Sequence, residues 1–140
     1  MKNLKRLITA LLVATICFFA ISCVEPTVVK SDENTVAITA DSKYFAIAED
    51  TTLIDYMNKL KADGLLDFTI ADGMITAIGG KQNPADFSSC WMLYTSDSEL
   101  SNSAWGILEV DGEVYASAIC GATDLIIKEG EVYLWAFVTF

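Results

Sequence analysis

Glu131–Phe140, EVYLWAFVTF, ends the chain and is its longest and most apolar strand candidate. Side chains in a strand alternate between faces, so Tyr133, Trp135 and Phe137 share one side. Val132, Leu134, Ala136 and Val138 share the other. With both faces apolar, the pattern predicts a central strand covered on both sides. Exposed at an edge, such a strand would template aggregation. A single helix can cover one face, which leaves the other to a loop, a partner or a ligand.

Working outward from that strand, most of the chain is β in character. Gly121-Ala122-Thr123-Asp124 is a turn followed by short Leu125–Lys128. Trp105–Val110 and Glu113–Ile119 flank Asp111-Gly112, and Leu66–Ile70 and Met74–Ile78 flank Ala71-Asp72-Gly73; Asp-Gly is a strong hairpin signal. Cys90–Thr95 is an aromatic, apolar strand, and Gly79-Gly80 opens a loop that reaches Asp86. Thr35–Ala40 and Tyr44–Ala48 read as a further hairpin turning at Asp41-Ser42-Lys43. Between them and the later strands lies the one strong helix. Asp50 or Thr51 is placed to cap it, Leu53, Ile54, Met57 and Leu60 form its apolar face, and Gly64 ends it. This order predicts an α+β domain, a β-grasp-like mixed sheet packed on one α-helix. A small β-sandwich with an incidental helix is the competing architecture.

The first residues carry a different message. Lys2, Lys5 and Arg6 precede an apolar run, Leu7–Ile21, which Ser22 and Cys23 close. A basic start, an apolar stretch and a small residue before the cut mark an export signal. Ala20-Ile21-Ser22-Cys23 resembles a lipobox, implying cleavage before Cys23 and lipidation on it; a plain transmembrane anchor is the alternative. The expected organisation is a signal peptide at 1–22, a tether at 23–34 and a folded domain at 35–140. The domain then works outside the cytoplasm, lipid-anchored to the cell membrane.

Charge and residue usage narrow the function. The chain has a net charge of −10, and the leader holds three of its nine basic residues, which excludes nucleic acid as a partner. There is no histidine, so Ser-His and Cys-His catalysis and imidazole metal sites are excluded. Asp63, Asp67 and Asp72, and likewise Glu109, Asp111 and Glu113, cluster in sequence without the spacing of a calcium loop. The chain reads as a binder and not an enzyme, with neither cofactor nor metal. Cys90 and Cys120 lie in apolar stretches, where they are either joined as a disulfide or two buried thiols.

Four segments in this order resemble one known family: TTLIDYMNKL (51–60), GMITAIGGK (73–81), CWMLYTSD (90–97) and GATDLIIKEGEVYLWAF (121–137). It is the bacterial transcobalamin C-terminal-like domain family, similar to the β-domain of the animal cobalamin carriers. The chain departs from its pattern at Met74, Cys90, Thr95-Ser96-Asp97 and Glu131. The resemblance implies a β-grasp domain over residues 35–140 and a corrinoid as ligand. In the animal carriers a second, helical domain covers the other side of cobalamin, and this chain has no room for one. It would hold a corrinoid with half a clamp, or with a partner.

Trp91, Tyr94 and Trp105 are the candidate ligand surface, since flat rings bury much area and keep a polar handle. Gly79 and Gly80 would let a ligand approach the backbone. Against each stands a plainer role: core packing for the rings, an ordinary turn for the glycines. Strand alternation puts Trp91 and Tyr94 on opposite faces unless the strand bulges. A protein-interaction or adhesion module at the cell surface, docking a polypeptide on the same apolar face, is the alternative function.

Overall fold

The computed structural model describes residues 28–140. The expected leader at 1–22, the expected lipidation at Cys23 and the start of the expected tether lie outside the described residues. Nine strands and one helix follow: β1 Val28–Asp32, β2 Thr35–Thr39, α1 Leu53–Ala62, β3 Phe68–Ala71, β4 Met74–Ile78, β5 Lys81–Gln82, β6 Ser89–Thr95, β7 Ser101–Val110, β8 Glu113–Ala118 and β9 Val132–Thr139. They form a six-stranded sheet in the order β1-β2-β9-β6-β8-β7 and a three-stranded sheet in the order β3-β4-β5.

The terminal strand lies inside the large sheet, between β2 and β6, as its two apolar faces predict. Every registered pair among the described residues is antiparallel, which corrects the expected mixed sheet. The chain returns through 119–131 and enters between two strands that both run opposite to β9.

The first hairpin differs from expectation. Strand β2 pairs with β1, so Val28–Asp32 belongs to the sheet and not to a tether. The Asn34 N–H donates to Asp32 Oδ1 at 2.7 Å in the intervening turn. Tyr44–Ala48 forms no strand. The Asp41 carbonyl accepts the N–H groups of Tyr44 and Phe45 at 3.1 and 3.2 Å, and its carboxylate accepts that of Lys43 at 2.8 Å. That winding swings Tyr44 and Phe45 edge-on against Tyr56, with ring centres 5.7 and 5.9 Å away. Their alternation serves the helix and not a ladder.

Helix α1 is capped by Thr52 and not by the expected Asp50 or Thr51. Thr52 and Asp55 make a reciprocal capping box. At the other end Gly64 takes φ +73°, with Gly64 N–H donating to Lys61 O and Leu65 N–H to Leu60 O, a Schellman closure. Leu53, Tyr56, Met57 and Leu60 are fully buried, and Tyr56 replaces half-exposed Ile54 in the expected face. The N–H groups of Leu53 and Ile54 donate to the carbonyls of Leu125 and Ala122, fixing the helix to the loop before β9.

The helix and the small sheet pack on one face of the large sheet, where Val36, Ile38, Trp91, Leu93, Tyr133 and Trp135 meet them. The opposite face holds Tyr94, Leu134 and Ala136, packed by Leu108, Val110 and Tyr115 of the β7–β8 hairpin. The second face of β9 is therefore covered by this chain itself, and needs no ligand or partner to cover it.

Burial pushes the Tyr133 phenol up to about 12. Its oxygen accepts the Lys128 N–H at 2.9 Å, and the Lys128 ammonium lies 3.0 Å from buried Asp97. A phenol whose folded pKa exceeds its unfolded value of about 10 lends stability in full below pH 10, lost as pH rises through 12. The expected loss is up to about 3 kcal/mol across that window. Urea midpoints taken from pH 9 to 12 should fall more steeply for the parent protein than for Tyr133→Phe.

Candidate functional site

Strand β6 pairs with β9 along its whole length, Ser89–Thr95. It pairs with β8 only at Tyr94↔Ser117 and Thr95↔Ala116. Alongside Trp91–Leu93 the two strands diverge, and the β3–β4 hairpin stands across the gap. Asn83 links the walls there: its amide donates to Ile75 O at 3.2 Å and its oxygen accepts the Trp91 N–H at 3.0 Å. The result is a hollow of about 430 Å³. Trp91, Leu93 and Trp135 wall it from the large sheet, Met74 and Ile75 from the small one, and Ala118 and Cys120 from the end of β8.

Trp105 stands at its rim because β7 carries an insertion. The β7–β8 register jumps from Asn102↔Ser117 to Ile107↔Ala116, so residues 103–106 have no counterparts on β8. They arch outward, as strand insertions beside binding sites do. Trp105 is left 64% exposed while still lining the hollow. Gly106 closes the arch at φ +143°, and a Cβ there would come 3.3 Å from Ser117 Oγ. Ile107 and Val114, also exposed, continue the apolar surface beyond the rim.

The expected site residues separate into three places. Trp91 and Trp105 meet at the hollow. Trp91 is held rigidly as a wall: its indole N–H donates to Lys81 O at 2.8 Å, and its ring meets Phe137 edge-on at 5.4 Å. Tyr94 lies on the other face of the sheet in the second cluster and does not line the hollow. Strand alternation separates it from Trp91, and the insertion is in β7 and not in β6.

Gly79 and Gly80 form the two-residue turn between β4 and β5, with φ of +57° and +82°. The Gly79 N–H is taken by Asp67 O at 2.9 Å, so it is not free for a ligand. Gly79 faces a separate cleft of about 200 Å³ beside Val36, Leu66 and Ile78.

Cys90 and Cys120 are free thiols, which corrects the possible disulfide. Cys90 shares the Met92 face of β6, its Sγ 3.5 Å from Met92 Sδ, whereas Cys120 packs against the core on the helix side. Burial pushes both thiols up, which disfavours thiolates.

Trp135, Met74, Cys120 and Gly106 belong to the site and were not among its expected residues. Gly106 had a sequence signal: a glycine directly after Trp105 inside a strand marks a bulge. No protein-family model, no curated protein and no solved structure matches this chain.

Proposed function

We propose that this is the binding domain of a lipid-anchored extracytoplasmic protein, and that it takes a flat, largely apolar small molecule into the hollow under Trp105. The observation that carries the reading is the four-residue arch in β7, which holds a tryptophan largely in solvent at the mouth of a cavity with two more in its walls. A volume of about 430 Å³ falls within the usual range for small-molecule sites. The role is binding alone, with no catalytic residue, no cofactor and no metal of its own.

The finer assignment, a β-grasp-like domain of the transcobalamin C-terminal-like kind, draws support from where the resembling segments fall. Gly73, Met74 and Ile75 of the second, Trp91, Met92 and Leu93 of the third and Trp135 of the fourth all line the hollow. A corrinoid is larger than the hollow and would be gripped by one edge, with its remainder against Trp105 or a partner.

Titration of the protein with cobinamide and cobalamin tests this. The expected result is saturable quenching of tryptophan emission together with a rise in melting temperature. Absence of both removes the corrinoid.

A protein-docking role is the second reading, favoured by exposed Ile107 and Val114 beyond the rim. It predicts that Val114→Ser weakens capture of a stoichiometric protein partner from the native cell surface and leaves small-molecule binding unchanged.

A further inference from the structure

The buried polar side chains of this domain find partners, with one exception. The Tyr56 hydroxyl donates to Thr39 O, the Tyr133 hydroxyl accepts the Lys128 N–H, and the Trp91 indole donates to Lys81 O. Asp97 Oδ2 has the Lys128 ammonium 3.0 Å away. The indole N–H of Trp135 has no acceptor among the described residues, although the residue is only 4% exposed. Buried donors are rarely left so, because the desolvation they suffer is then uncompensated. Trp135 is also a wall of the hollow.

We infer that the ligand of this hollow carries a neutral hydrogen-bond acceptor, a carbonyl or a ring nitrogen, which takes the Trp135 N–H. This rests on the proposed reading of the hollow as a binding site. Charge decides between acceptor types. No lysine or arginine lines the hollow, and Asp72 does. A carboxylate or phosphate would be desolvated there without a counter-charge. The indole nitrogen is shut off from bulk water, so an acceptor reaches it only when wall side chains give way. Met74, unbranched and soft, is the wall suited to that.

Quinoline and naphthalene test the inference, being matched two-ring probes that differ in one ring nitrogen. Each is titrated against the parent protein and Trp135→Phe, which keeps a flat ring and removes the donor. The expected result is a quinoline-to-naphthalene affinity ratio about tenfold higher in the parent than in the variant. An equal ratio in both proteins overturns the acceptor and leaves the hollow standing. Failure of both probes to saturate the parent protein overturns the hollow itself. Should Trp135→Phe not fold, the indole ¹H–¹⁵N resonances of the parent protein decide. A downfield shift of the Trp135 proton with quinoline and not with naphthalene supports the bond, and no such difference overturns it.

Discussion

Leu134→Ala is expected to destabilise the domain by about 2–5 kcal/mol, read as a lowered urea midpoint at unchanged slope. Leu134 is fully buried on the face of β9 away from the helix. Strands β2 and β6 hold its backbone from both sides, so the surrounding structure has little freedom to collapse into the void. The cost should also be local. Leu108, Val110 and Tyr115 pack against the cluster that Leu134 belongs to, so amide exchange in β7 and β8 should quicken before that of α1. Val114→Ser is the contrast: its side chain lies on the opposite face of the same hairpin, 58% exposed, and the change should stay within about 0.5 kcal/mol. Equal, small effects from both substitutions would mean that the hairpin does not seal that face. That face would then need a ligand or a partner to cover it.

That contrast relocates the domain's surplus apolar surface. The alternation in β9 correctly indicated more hydrocarbon than one helix can shield. The missing cover on the far side comes from the β7–β8 hairpin, through Leu108, Val110 and Tyr115. On the helix side, the cover runs out beyond β6. Strand β8 leaves β6 after two registered pairs there, and Trp105, Ile107 and Val114 remain exposed. The uncovered strip belongs to the edge hairpin and not to the centre of the sheet.

Features governed by local chemistry were legible in the residues. Asp72-Gly73 and Asp111-Gly112 make the tight turns they announce, with positive φ at all four residues. Gly64 ends the helix where a left-handed residue is needed. The failures share a different cause, the competition between long-range partners. Tyr44–Ala48 has a strand's alternation, yet Tyr56 offers Tyr44 and Phe45 an aromatic surface, and β2, the strand it would have paired with, is already flanked by β1 and β9. Val28–Asp32 looks like tether because Pro26 and the charges around it hide a short edge strand. The site suffers most from this limit. Whether Trp91 and Trp105 meet depends on where β8 parts from β6 and on a register jump in β7, and neither is written in any one segment.

Trp105→Ala should weaken small-molecule binding by roughly ten- to a hundredfold, the size of effect that a tryptophan anchor carries in a recognition site. Stability should change by no more than about 0.5 kcal/mol, because the ring is mostly in solvent in the free protein. The pairing of those two outcomes is the informative part. Trp91 is a wall of the same hollow, but its indole is bonded to Lys81 O and packed on Phe137, so Trp91→Ala should lower stability and binding together. Gly106→Val provides an independent route to the same arch. A side chain at φ +143° is strained, and its Cβ would crowd Ser117 Oγ, so the arch must shift and carry Trp105 with it. Binding should then fall although every wall residue is intact. A Trp105→Ala protein that binds its small molecule with undiminished affinity would show that the arch does not serve the hollow. The exposed indole would then have to answer to a macromolecular partner, with Ile107 and Val114 beside it as the rest of the contact.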